Sequence, residues 1–136
     1  VRLLLDTHVL VWVAEQPSRI LPTAQALIED PANDLFFSSA SIWELAVKAN
    51  LARAPRPDDL QADSRLLQRQ LIANGYTELP VTGDHGVTAA ELPPIHKDPF
   101  DRILIAQAEV EGLVLLTADS MIWKYHMPFR RHIEKI

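Results

Sequence analysis

Two short, unbroken apolar runs, Leu3-Leu4-Leu5 and Leu113-Val114-Leu115-Leu116, each lead directly into an acid: Asp6 after the first, and Asp119 at the end of Thr117-Ala118-Asp119 after the second. Runs of this length without polar alternation suit strands buried on both faces, as in a parallel sheet covered by helices. Leu35-Phe36-Phe37 is a third such run, and Glu78-Leu79-Pro80-Val81 a weaker fourth candidate.

Helical segments are expected between these runs. They are Val9 to Ala14, Pro22 to Glu29, a stretch carrying Ile42, Leu45, Ala46 and Ala49, about Asp58 to Asn74 closed by Gly75, Asp84 to Glu91, and Pro99 to Glu111 closed by Gly112. Proline in a first turn and glycine just past a last turn are the usual helix boundaries. Arg53 to Asp59, with Pro55 and Pro57, reads as a loop. Strands alternating with helices predict a three-layer α/β/α fold with a largely parallel central sheet of four to five strands, and residues 1–136 read as a single domain.

In open α/β sheets ligands bind at the carboxyl ends of the strands. Asp6, Asp119 and the Ser38–Glu44 segment all follow an expected strand, and Asp101 lies in the first turn of the helix after the Pro93-Pro94 loop. If that helix starts at the same edge, four carboxylates converge there. Like charges so close need compensation, and a hard divalent cation, Mg²⁺ or Mn²⁺, supplies it through oxygen ligands. Each acid also has a purely structural reading. Asp6, Asp98 and Asp119 fit helix N-caps, Ser41-Ile42-Trp43-Glu44 fits a capping box, and Asp101 fits a position favoured by the helix dipole.

Taken in order, Leu3-Leu4-Leu5-Asp6-Thr7-His8, Ser41-Ile42-Trp43-Glu44-Leu45, Asp98-Pro99-Phe100-Asp101-Arg102-Ile103-Leu104-Ile105-Ala106-Gln107-Ala108 and Leu115-Leu116-Thr117-Ala118-Asp119 resemble the successive motifs of PIN domains. More narrowly, they are similar to VapC-type toxins of bacterial and archaeal toxin–antitoxin pairs. The resemblance spans almost the whole chain. It implies a Mg²⁺- or Mn²⁺-dependent endoribonuclease with Asp6, Glu44, Asp101 and Asp119 as its acids, leaving 5′-phosphate and 3′-hydroxyl ends. It implies that Thr7 and Thr117 orient ligands or waters, and it implies two protein partners, a second copy of the chain and a VapB-like antitoxin. Asp98 is expected as a cap and supporting residue, not as a ligand. His8, His85, His96, His126 and His132 show no pairing at metal or acid–base spacing and read as surface or packing residues, although His8 and His96 lie near acids.

RNA binding would need cations beside the acids. Lys48, Arg53, Arg56, Arg102 and Lys124 are the candidates, Lys48 also reading as an ion pair with Glu44 one turn earlier. Trp123-Lys124-Tyr125-His126 with Arg130-Arg131-His132 suits single-stranded RNA, or a tail packed through its aromatics. Trp12 and Trp43 are expected in the core or at an interface, and Leu66, Leu67, Leu71 and Ile72 in the core or in a groove for a partner helix. The net charge of −5, from 13 Lys+Arg against 18 Asp+Glu, disfavours a passive nucleic-acid binder more than a nuclease whose metal reverses the local sign. With no cysteine there is neither a disulfide nor a thiolate site. No apolar run is long enough to span a membrane and no targeting segment is visible, so the expected location is the cytoplasm.

Three other readings remain at this stage. One is a PIN-like regulatory or binding protein without catalysis, which retention of all four acids opposes. Another is a receiver-type signalling domain, a poor match because no adjacent acidic pair follows the first strand. The third is a DNA-directed flap-type nuclease, for whose extra gripping elements the chain has no room.

Overall fold

The computed structural model describes residues 1–51, 63–125 and 133–136. Strands β1 (Arg2–Leu5), β2 (Asp34–Ser38), β3 (Thr77–Leu79), β4 (Val114–Thr117) and β5 (Ile133–Lys135) form one sheet in the order β3-β2-β1-β4-β5. All four pairings are parallel; Leu4 of β1 faces Phe36 of β2 on one side and Leu115 of β4 on the other. The expected α/β architecture with a parallel sheet is therefore what the chain adopts. Helices α1 (Thr7–Glu15), α2 (Pro22–Glu29), α3 (Ser39–Leu51), α4 (Ser64–Ala73), α5 (Gly83–Glu91), α6 (Pro99–Glu111) and α7 (Ser120–Trp123) join the strands.

The continuous apolar runs are explained by burial on both faces. Leu3, Leu5, Phe37 and Leu116 point to one side, where Val9 and Leu10 of α1, Leu45 of α3, and Leu67 and Leu71 of α4 cover them. Leu4, Leu115 and Ile133 point to the other side, against Leu104, Ile105 and Ala108 of α6, Ile122 of α7 and Tyr125. Successive residues alternate between the two cores because side chains in a strand alternate in direction.

Several boundaries differ from those read in the sequence. Helix α3 begins at Ser39, so Ser41 lies inside it and the Ser41–Glu44 capping box does not form; Ser38 instead receives the Ala40 N–H on its Oγ at 3.0 Å. Helix α4 begins at Ser64 because Asp63 caps it, accepting from Arg65 N and Leu66 N. The weak strand shifts to Thr77–Leu79 and stops before Pro80, which has no N–H to donate. Strand β5 was not anticipated, because three residues carry too little pattern to read. Gly112, at φ 66°, occupies the left-handed region that glycine tolerates and turns α6 directly into β4. The loop expected at Arg53–Asp59 lies outside the described residues.

His85 is fully buried and holds α5 to α6. Its Nδ1 accepts from Thr82 N at 2.9 Å in a capping box, and its Nε2 lies 2.8 Å from Glu111 Oε1. Among the described residues no helix is long and apolar enough to cross a membrane.

A sheet covered on both faces makes neighbouring positions of β4 equally sensitive. Leu115→Ala and Leu116→Ala, which face opposite cores, should each cost about 2–5 kcal/mol in urea unfolding. A near-neutral result for one of the two would mean that its face is not covered.

Candidate metal centre

Strands β2 and β3 lie on one side of β1, and β4 and β5 on the other, so the chain changes direction between β1 and β4. Helices leaving two adjacent strands to opposite sides open a crevice at their carboxyl ends. Asp6 follows β1 and Asp119 follows β4, so both stand at this crevice. The Asp6 N–H donates to Leu116 O at 3.0 Å, which carries the β1–β4 pairing into the site itself.

Asp6 is almost wholly buried. Its Oδ1 caps α1 by accepting from Val9 N at 2.9 Å, and its Oδ2 accepts from the Thr117 hydroxyl. Thr117 Oγ1 in turn accepts from Asp119 N at 3.0 Å, so one hydroxyl connects the two acids. Asp119 Oδ1 caps α7 through Met121 N at 2.7 Å. Burial pushes the Asp6 carboxyl above its ordinary range, against the Thr117 and Val9 hydrogen bonds that favour its charged form.

Glu44 reaches the crevice from α3 and is also buried. Thr7 donates to its Oε1 at 2.8 Å, and Ser41 Oγ lies 2.9 Å from the Thr7 hydroxyl. Lys48 pairs with Glu44 Oε2 from one turn later on the same helix. The Lys48 ammonium is consequently held above its usual range. Partial burial acts against this and is outweighed by Glu44, with Asp98 and Asp101 adding to the effect.

Asp101 enters in the first turn of α6, whose N-cap is Asp98, with Phe100 N donating to Asp98 Oδ1 at 2.9 Å. Its carboxyl is pushed up to about 7, first by burial and then by the charges of Asp98, Glu44, Asp119 and Asp6. Four acids thus raise the Asp101 carboxyl, whereas among the described residues Asp6 and Glu44 are not in the group whose donor atoms lie within 4.8 Å of one another. Asp101 and Asp119 approach one another directly. With His96 they offer donor atoms that all lie within 4.8 Å of one another. His96 Nε2 is 2.8 Å from Asp101 Oδ2 and 3.7 Å from Asp119 Oδ2. From the sequence alone His96 reads as a surface or packing residue. The available signal was its position two residues before the cap of α6, near the acids but without any regular spacing from them.

The donor set fits a hard divalent cation. It is dominated by carboxylate oxygens, and burial together with the charges of the neighbouring acids disfavours ionised Asp101 unless a cation compensates.

The candidate RNA-binding cations divide by placement. Lys48 and Lys124 are exposed, Lys48 paired with Glu44 and Lys124 resting 3.5 Å from Met121 Sδ. Arg102 turns inward. Its guanidinium donates to the carbonyls of Ala89, Leu92, Pro93 and His96 and to the Tyr125 hydroxyl, so these contacts commit it to the loop before α6. Arg53 and Arg56, like His126 and Arg130 to His132, lie outside the described residues. Tyr125 is fully buried, in line with a chain end packed through its aromatics. Trp12 is half-buried against the α1 core, whereas Trp43 is 63% exposed and meets Phe100 edge-on at 5.1 Å, beside Glu44 and Asp101. His8 is exposed and leans on Trp12.

The parallel five-stranded sheet with acids at the β1/β4 carboxyl edge is compatible with a PIN domain, and the family model for the PIN domain matches residues 3–125. The chain belongs to this family. It is 31% identical to Ribonuclease VapC22 of Mycobacterium tuberculosis over 126 residues, 92% of either chain. The same fold occurs in VapBC2 from Rickettsia felis, solved bound to a DNA fragment from its promoter (TM-score 0.67, 14% identity, covering 99% of this chain and 98% of that one). It occurs also in VapBC-5 of Mycobacterium tuberculosis, a member of the VapBC family of toxin–antitoxin systems (TM-score 0.62, 23% identity, 99% and 97%).

The raised Asp101 carboxyl has a stability consequence with a definite sign. An unfolded Asp titrates near 3.8 and this one near 7 when folded, so ionising it disfavours the metal-free fold. The penalty is complete above pH 7 and disappears as pH falls toward 4. In chelator, Asp101→Asn should therefore melt at a higher temperature than the parent at pH 8, with the gap narrowing from pH 7 downward. A variant that melts lower at pH 8 would contradict this electrostatic account.

Proposed function

We propose that the chain is a Mg²⁺- or Mn²⁺-dependent endoribonuclease and the toxin of a toxin–antitoxin pair. The observation that carries this reading is the approach of Asp101 and Asp119 donor atoms to within 4.8 Å, with Asp6 tied to Asp119 through Thr117 and Glu44 held by Thr7 beside them. The relation to Ribonuclease VapC22 supports RNA as the substrate.

Asp101 and Asp119 would hold the cation together with Asp6, and Glu44 would ligate it or orient the attacking water. A bound cation polarises the scissile phosphate, lowers the pKa of water and steadies the leaving oxygen. The chain's own residues prepare the site for this. Thr117 fixes one Asp6 oxygen while Val9 N–H fixes the other, which holds that carboxylate in one orientation. Thr7 and Lys48 hold both oxygens of Glu44. Asp98 sets the start of α6 and hence the position of Asp101. In-line attack of water would leave 5′-phosphate and 3′-hydroxyl ends. Lys48 and Lys124, with Arg53 and Arg56, are the cations that would receive the flanking phosphates.

The partners in this reading are a VapB-like antitoxin and a second copy of the chain, and its setting is the cytoplasm. The fold shared with VapBC assemblies supports a protein partner. So does an open depression of about 480 Å³ lined by Val13, Leu35, Leu67, Gln70, Leu71 and Asn74, with Leu66 and Ile72 of α4 left exposed.

The test uses end-labelled single-stranded RNA incubated with purified protein in Mg²⁺, in Mn²⁺ and in chelator. Cleavage should require the cation and fall about 100-fold or more in both Asp6→Asn and Asp101→Asn. Cleavage that persists in chelator, or in both variants, would refute the metal-centred reading. Protein that neither binds cation nor cuts RNA would point to a non-catalytic role.

A further inference from the structure

His96 meets the acids at ion-pair distance, and its ring is oriented from its other end. Its Nδ1 lies 3.1 Å from the backbone N of Asp98. A backbone N–H can only donate, so Nδ1 accepts and the ring hydrogen of a neutral imidazole is on Nε2. Nε2 is buried, 2.8 Å from Asp101 Oδ2 and 3.7 Å from Asp119 Oδ2, without an aligned hydrogen bond to either. To ligate a cation, Nε2 would have to be bare. The hydrogen would then move to Nδ1 and face the Asp98 N–H directly.

The loop carrying His96 is also anchored against turning. His96 N donates to the Tyr125 hydroxyl at 2.8 Å, and His96 O accepts from Arg102 Nη1 at 3.2 Å. The Tyr125 hydroxyl donates onward to Pro93 O at 2.8 Å. Arg102 further ties down the carbonyls of Ala89, Leu92 and Pro93. These contacts account for a half-buried arginine beside an acidic site: it fastens the loop that presents the imidazole.

We propose that His96 is a positioning residue, whose Nε2–H, 2.8 Å from Asp101 Oδ2, draws that carboxylate into place for a cation, and that it is not a ligand of that cation. This rests on the metal-centre reading above. Groups that orient ligating side chains commonly contribute 10- to 100-fold to metal affinity, while adding no atom to the coordination sphere.

The experiment uses Mn²⁺ alone as the probe. Electron spin-echo spectroscopy of Mn²⁺-loaded parent protein reads nitrogen coordination, and calorimetry reads affinity in the parent, His96→Gln and His96→Leu. Gln places an N–H donor near the position of Nε2, whereas Leu keeps bulk without a donor. The expected result is no signal from a directly bonded nitrogen. Mn²⁺ binding should weaken about 10- to 100-fold in His96→Leu and be largely rescued in His96→Gln. A bonded-nitrogen signal in the parent that is lost in both variants would make His96 a ligand and overturn the proposal. Equal affinity in all three proteins would overturn it as well, while leaving the metal centre standing. Parent protein that binds no Mn²⁺ would remove the metal centre, and this inference with it.

Discussion

Repulsion among the carboxylates at the β1/β4 edge is the constraint that the rest of the fold is built to withstand. Two like charges about 4 Å apart cost on the order of 4 kcal/mol at the effective dielectric of a protein surface, against a typical domain stability of about 5–15 kcal/mol. The cluster is tolerable because the strands beneath it do not yield. Leu3, Leu4, Leu5, Leu115 and Leu116 are buried on two faces, and the β1–β4 pairing continues through Asp6 N to Leu116 O. Local contacts reduce the stress without removing it. Thr117 and Val9 N–H serve Asp6, and Thr7 and Lys48 serve Glu44. Asp101 has the His96 ring 2.8 Å away, and burial with the neighbouring acids pushes its carboxyl up to about 7, while burial raises Asp6 as well despite its partners.

What the sequence made legible follows from the range over which each signal acts. Strands β1, β2 and β4 were readable because burial on both faces leaves an unbroken apolar run in the chain itself. The caps Asp6, Asp98 and Asp119 were readable because a cap bonds an N–H only two or three residues away. Strand β5 was not readable, since three residues gain their identity only by pairing with β4. The start of α3 was misplaced for a related reason: Ser41 and Glu44 have capping-box spacing, but their partner is Thr7, more than thirty residues earlier.

His96 shows the same limit at the site. Nothing within its own segment distinguishes it from a surface histidine. Its position depends on Tyr125, 29 residues later, and on Arg102, whose guanidinium folds back over the loop. Arg102 itself read as a cation for RNA because it follows Asp101. Helical geometry turns adjacent residues about 100° apart, so neighbours in sequence face different surroundings. One faces the acids, the other the loop carbonyls.

The choice between cap and ligand, open for several acids in the sequence, is not a choice once the oxygens are considered separately. A carboxylate has two, each with more than one lone pair. Asp119 caps α7 with Oδ1 and turns Oδ2 toward His96 and Asp101; Asp6 caps α1 with Oδ1 and meets Thr117 with Oδ2. Capping is therefore part of how the site is made. It fixes one oxygen by a backbone hydrogen bond, and the direction of the second follows from the rigid plane of the carboxylate. A strand that ends in an acid, followed at once by a helix which that acid caps, specifies in a few adjacent residues both where the helix begins and where a negative oxygen points. Repeating that unit after β1 and after β4, on neighbouring strands, brings two such oxygens into one crevice without any long loop to position them.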